Sequence, residues 1–519
     1  MANLNINGTN LVKEILLASK YKEQEKEEVI KTTKTASALA FVYEKARNAV
    51  EFRADHLIRQ AAIERILRRR LFLNQDSEKI ALLLVRELSW AKYLNKESIS
   101  SSKVTLLTGI IEKYRLVLKS ADQNLKDTLV GLCSCEIEEN VSFNPINQIL
   151  INFVSSSILP RIDFGEDDKS TKSMQVYIAT ERSFAKNSEI LISFRLLKVL
   201  DPDWKGPKES LLENDISKLF QTLTIIDNHL NYKYKDLLRR KVTQMTPPFN
   251  LIRELVENSP ESFEKITSNL SLLEEKATEI LEIRYRQTQD KVMRASKRSI
   301  VYIFLTKMVL AILIEVPFDI FFGKVNYLVL GINIIFPPSL MFLLNSSVRL
   351  PEKTNTDLII EKVNEYLYLN EEDLKTEKVK TILYKGKAEK VFYYTFLFTS
   401  ILILLGLLWI LNLLHFNPIS QIIFLFFLCV VSFFAFRVRE ISKDYLIKDS
   451  ERESFFETLL DYLFLPIVKI GQWLSNQIAK INILSFIFDF IIEAPLKTFL
   501  EILEDWLHFV RVKKEEILS

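Results

Sequence analysis

The sequence predicts an all-α fold: a polytopic membrane protein with four transmembrane helices in two hairpins, a large N-terminal cytoplasmic helical domain and a C-terminal amphipathic helical tail. Three observations predict it. Two pairs of apolar segments lie between Ile300 and Phe436. Each segment is roughly 18–24 residues long, the length a helix needs to cross a hydrocarbon core. Lys and Arg gather at one end of every segment and are sparse at the other. With only 10 Gly and 14 Pro in 519 residues, and no convincing alternation of β-branched residues, long helices are favoured over sheet.

Residues 1–298 read as the cytoplasmic helical domain. The start, Met1-Ala2-Asn3-Leu4, carries neither a basic nor an apolar leader region, so no secretory signal is read there. Ala36–Arg70 is strongly helix-forming, and Ser77–Leu94 and Val104–Ser120 continue the periodicity. Turn chemistry breaks the domain at 160–173 and at 201–209. Two heptad-like helices follow, 210–243 and 260–298. Leu212, Ile216, Leu219, Leu223, Ile226, Leu230 and Leu237 stripe the first, which Pro247-Pro248 is expected to end. Phe263, Ile266, Leu270, Leu273, Ala277 and Ile280 stripe the second, with Ser259 as cap and Pro260 at the first position. No breaker intervenes before Ile300, so one helix of on the order of 80 Å is expected to run from Pro260 into the first span. Three heptads are marginal for a free coiled coil, so packing of both stripes inside the domain is preferred.

Hairpin 1 occupies 299–345 and hairpin 2 occupies 391–437, joined by a charged helical loop at 346–390 that is expected to fold against the N-terminal domain. Basic residues precede the first span (Arg284 to Arg298), fill the middle loop and follow the fourth span (Arg437, Arg439, Lys443), whereas the opposite turns are poor in charge. The positive-inside rule then places both termini in the cytoplasm of a cell (cytoplasmic or inner) membrane. Residues 438–519 form the cytoplasmic tail. Within it Ile481–Ile492 is apolar but too short to span. Pro495 opens an amphipathic helix with Leu496, Phe499, Leu500, Leu503, Leu507 and Val510 on one face and Lys497, Glu501, Glu504, Asp505 and His508 on the other. Such a helix suits the membrane interface or the surface of the helical domain.

The candidate site is intramembrane and polar: Lys307, Glu315 and Asp319 on the first span, and Asn333 on the second. Charge inside a bilayer is costly and usually faces the protein interior or a water-filled cavity. Folding hairpin 1 at Gly323-Lys324 brings Glu315 and Asn333 to one depth, which predicts a hydrogen bond between them. Pro317, Pro337 and Pro338 free backbone carbonyls nearby. The set can bind or pass a cation or proton. Alternatively, Glu315 and Asp319 sit in the outer headgroup layer while Lys307 snorkels inward.

Elsewhere the residues point to no chemistry. Cys133 and Cys135 lack the second ligand pair a zinc site needs and read as packing thiols, and Cys429 lies in a span. Arg65, Arg68, Arg69 and Arg70 read as a solvated face or as partners for acids, with an acidic partner or lipid surface as the alternative. No phosphate-cradling, dinucleotide or hydrolase signature occurs, and a net charge of +3 calls for no nucleic acid. The expectation is a non-enzymatic protein without cofactor or metal: a membrane scaffold or assembly factor whose partners are the lipid bilayer and proteins bound by the helical domain. The alternative is an ion or proton channel or transporter subunit using hairpin 1, which would require a homo-oligomer because four spans are few.

Overall fold

A computed structural model describes residues 4–21, 34–51, 57–72, 75–94, 101–142, 144–165, 168–204, 206, 212–322, 327–346, 353–370, 377–378, 387–447, 455–480 and 494–518. These are helical almost throughout, apart from two strand segments of two residues each. The chain divides into two compact units. The helical unit comprises Ile6–Thr243, Leu374–Glu377 and Ile483–Ser519; the apolar unit comprises Met1–Asn5, Gln244–Asp373 and Lys378–Asn482. The stretch read as one tail, 438–519, is therefore shared between them.

The helical unit is built from α1 (Ile6–Tyr21), α2 (Lys34–Glu51), α3 (Ile58–Phe72), α4 (Ser77–Trp90), α5 (Ser101–Leu118), α6 (Gln123–Val141), α7 (Pro145–Ile158), α8 (Lys169–Thr180), α9 (Glu189–Leu200) and α10 (Glu213–Leu230). The helix expected over Ala36–Arg70 is covered by α2 and α3, with residues 52–56 outside the described residues. Local chemistry sets several boundaries. Asp168 accepts from the Ser170 and Thr171 amides at the start of α8, and Ser188 accepts from the Leu191 amide at the start of α9. One core runs through the unit, with Ile63, Leu84, Ile110, Leu132 and Leu196 fully buried. Leu219, Leu223, Ile226 and Leu230 of α10 close it as the stripe requires, but Leu212 lies before the helix and is exposed.

The apolar unit takes over within α11 (Lys235–Asn258). Pro247 and Pro248 do not end this helix; they lie inside it, buried beside Thr246 and Phe249. Proline has no N–H, so helical bonds to residues 243 and 244 are missing. The division between the units falls at those two residues. After α12 (Phe263–Thr267) comes α13 (Leu270–Leu310), of 41 residues and about 62 Å at 1.5 Å per residue. The single helix expected from Pro260 is interrupted because Asn269 turns its side chain onto the Ser271 and Leu272 amides and starts α13 afresh. That interruption leaves Leu270 exposed and shifts the buried seam to Leu273, Ala277 and Leu281.

α14 (Val316–Phe322), α15 (Tyr327–Ser346), α16 (Lys353–Tyr368), α17 (Lys387–Leu413), α18 (Pro418–Ile441) and α19 (Phe455–Lys480) complete the unit. Among the described residues three helices are long and apolar enough to cross a membrane: α13 with its continuation to Phe321, Tyr393–Leu413 of α17, and Pro418–Val438 of α18. Tyr327–Leu343 of α15 is a shorter apolar helix. α16 packs on α13, where Asn355 donates to the Tyr285 hydroxyl at 2.8 Å, and on α11, where Tyr366 lies against Phe249. The sequence Lys385-Gly386 of the middle loop lies outside the described residues, as does Ile481–Ile492. α19 lies tightly along α18, and Gly471 permits it: a Cβ there would come within 2.1 Å of the Cys429 carbonyl oxygen. Small residues let helix backbones approach in this way.

The last helix, α20 (Ala494–Leu518), belongs to the helical unit and lies against α2.

Candidate functional site

Three of the four polar residues marked in the spans meet inside the apolar unit. The Lys307 ammonium lies 2.7 Å from Glu315 Oε1, and the Asn333 amide donates to Glu315 Oε2 at 2.7 Å. Lys307 also sits over the Phe427 ring of α18, 4.9 Å from its centroid. All three polar side chains are sealed, at 0%, 1% and 0% exposure. Both charged side chains are therefore covered by protein on every side. The ammonium points along its own helix to the carboxylate, and the pair is shared by α13, α15 and α18.

The local backbone explains the geometry. Residues eight apart in a regular helix differ by about 80° around the axis. Here residues Ala311–Glu315 form a π turn, with the Val316 amide bonded to the Ala311 carbonyl. Pro317 follows directly; its ring crowds the carbonyl four residues back and has no N–H to donate. The extra residue in the π turn removes about 100° of rotation and brings Glu315 to within about 20° of Lys307. The prolines Pro337 and Pro338 are accommodated inside α15, one turn beyond Asn333.

Asp319 is not part of this cluster. It accepts a hydrogen bond from Asn417, at the start of α18, a pairing not marked in the sequence. Asn417 in turn accepts from the Ser420 amide at 2.7 Å and so caps α18. The Asn333 Oδ1 atom is buried without a hydrogen-bond partner. Beside this region, α15, α17, α18 and α19 line a half-open apolar cavity of about 520 Å³.

A second polar centre lies in the helical unit, where α20 docks. Glu87 of α4 contacts Arg69 at 2.6 Å and Arg70 at 2.8 Å, and Glu44 of α2 contacts Arg65 at 2.9 Å. Lys497 of α20 lies 3.6 Å from both carboxylates and is 2% exposed. Burial alone would push the Glu87 carboxyl up, but Arg69, Lys497 and Arg70 together hold it down at about 2. The basic run of α3 thus pairs with acids: Arg68 meets Glu64 and Asp127, and the others meet Glu44 and Glu87.

Most of the apolar face read from the sequence docks: Leu500 is buried, and Leu496, Leu503 and Leu507 are half-buried. Leu500 and Lys497 turn inward, the former against Ala40 and Trp90, because two carboxylates await the lysine there. Phe499 and Val510 point outward instead. Phe499, Ile502, Trp506 and Phe509, spaced three, four and three apart, form a stripe 55–64% exposed. Arg86 of α4 reaches Asp505 at 3.6 Å from the docked side.

A third centre was missed by sequence reasoning. Lys113 of α5, at 0% exposure, donates to Glu136 of α6 at 2.7 Å and to the carbonyls of Trp204 and Gly206 at 2.8 Å each. Tyr114 donates to Glu136, and the Trp204 indole donates to Tyr114. Burial and then the Glu136 charge push the Tyr114 hydroxyl well above the ordinary tyrosine range. The network ties the 201–206 turn to the core, and only the lone lysine and glutamate on apolar helix faces hinted at it. Cys133, Cys135 and Cys429 are buried free thiols. Among the described residues no three His, Cys, Asp or Glu side chains converge as a metal would need.

Compared with models of known protein families, with curated proteins and with solved structures, the chain matches none.

Proposed function

We propose that the chain is an integral membrane scaffold or assembly factor with four spans, both termini and the middle loop in the cytoplasm, and partner proteins bound by its helical unit. The basic residues at one end of each apolar segment support the orientation. The observation that carries the scaffold reading is α20: one face is pinned by buried Lys497, and the other presents Phe499, Ile502, Trp506 and Phe509 outward. A rigidly held helix with aromatic anchors at helical spacing is a surface for a partner's groove or helix. The sealed Lys307–Glu315–Asn333 cluster fits the same role, because a neutralised pair shared by three helices locks a membrane anchor.

The test is photo-crosslinking from position 506 of the full chain in native membranes. A protein adduct of constant mass that Ile502→Glu abolishes supports the reading. Adducts to lipid alone refute it and make α20 a membrane-surface helix.

The second reading, an ion or proton channel or transporter subunit acting as a homo-oligomer, is favoured by the unpartnered Asn333 Oδ1 beside a π turn. Proteoliposome flux that Glu315→Gln changes would establish it in place of the scaffold.

A further inference from the structure

We propose that the cavity between α15, α17, α18 and α19 is a binding site for one phospholipid acyl chain, taken from the leaflet on the side of the α17–α18 turn. The inference rests on the placement of these helices in a bilayer. The site is lined by Leu402, Gly406 and Ile410 of α17 and Leu414 just after it, with Phe424 of α18 and Ile467 of α19 opposite.

Shape, chemistry and energetics select the occupant. Along α17 the lining runs from Leu402 to Leu411, nine residues or about 14 Å of helix, and ends on Leu414 in the turn. That matches one leaflet, about half of a hydrocarbon core roughly 30 Å thick. The groove ends where α17 turns into α18, which fixes the leaflet. Every lining side chain is apolar or glycine, so water entering it would find no hydrogen-bond partners. Left empty, about 520 Å³ would cost the lining its dispersion contacts. No side chain fills the space at Gly406, where a Cβ would meet nothing within 4 Å.

The lipid has a structural consequence. Along Tyr393–Leu413 of α17 only Leu411 is buried. Among the described contacts, its polar ties to α19 are a Thr399–Tyr462 hydrogen bond of 3.0 Å and Lys469 over the Phe396 ring. Both ties lie on the other side of Leu402 from the cavity. An acyl chain in the groove supplies the apolar contact that holds the second half of α17 to its neighbours.

The test uses the full chain, purified in detergent and exhaustively washed. Bound phospholipid is counted by native mass spectrometry, and the melting temperature is read before and after the wash. Wild type retains one phospholipid per chain and melts lower once it is stripped, and added phospholipid restores the melt. Gly406→Phe fills the groove, retains none and melts at a temperature indifferent to lipid. Leu402→Trp does the same should Gly406→Phe fail to fold. Gly331→Phe, at a second open glycine outside the groove, behaves as wild type. Equal phospholipid retention by wild type and both groove variants overturns the proposal, as does a crosslink from position 402 to a protein rather than a lipid. Monodisperse wild type in buffer without detergent would instead overturn the bilayer placement itself.

Discussion

The Lys307–Glu315 pair makes the sharpest prediction. Removing one partner leaves the other charge in a site at 0–1% exposure. Glu315→Leu strips Lys307 of its carboxylate and Asn333 of its acceptor, leaving the ammonium only the Phe427 face. Lys307→Met leaves Glu315 with Asn333 alone. Each single change should cost about 3 kcal/mol or more, as breaking a buried pair does. The double change removes both charges and replaces them with apolar groups, so it should fall within about 1 kcal/mol of wild type. Non-additivity is then on the order of 5 kcal/mol. Equilibrium unfolding of the four proteins in mixed micelles measures it. Single effects that add to the double within about 0.5 kcal/mol would show that the two side chains do not neutralise each other, and the anchor-lock reading would fall with them.

Other consequences concern both units. Glu87 titrates at about 2 in the folded chain against an ordinary 4.5, so its contribution is fully present above pH 4.5 and fades as pH falls toward 2. That difference is worth about 3 kcal/mol, and acid titration of stability should lose this component in Glu87→Gln. Lys497→Glu sets a third carboxylate beside Glu44 and Glu87. It should release α20, seen as faster hydrogen exchange across 494–510 with the rest of the helical unit unchanged; equal protection would contradict the docking account. Lys113→Met unties the Trp204 and Gly206 carbonyls and leaves Glu136 buried without its cation, costing about 3–5 kcal/mol in thermal or denaturant unfolding. Gly471→Leu drives side chain into the Cys429 carbonyl and should cost about 3 kcal/mol or more in detergent melts while exposing α19 to protease.

Much of the fold was legible because periodicity and length are local properties. Four apolar segments, their basic flanks and the stripes on α10 and α13 can be read one helix at a time. The Glu315–Asn333 hydrogen bond joins two residues that equal counting from Gly323-Lys324 had put at one depth. Boundaries were less legible. Asn269 restarted a helix expected to be continuous, and Pro247-Pro248 sat inside one they were expected to end. A side-chain cap outweighs propensity in the first case, and burial of the proline rings accompanies a helix carried through the missing bonds in the second.

The sequence by itself determined helical class and the apolar segments, because length and composition are local properties. Only the tertiary structure decided which charges are buried and what they pair with, since an unpaired buried charge costs several kcal/mol. Asp319 went to Asn417, Lys113 to a turn about ninety residues away in sequence, and Lys497 to two carboxylates on helices more than four hundred residues earlier. The same holds for the outward face of α20. The amphipathic pattern marked the docking leucines Leu496, Leu500, Leu503 and Leu507, but that Lys497 joins them while Phe499 and Val510 face out depends on a charged surface that exists only once the chain has folded.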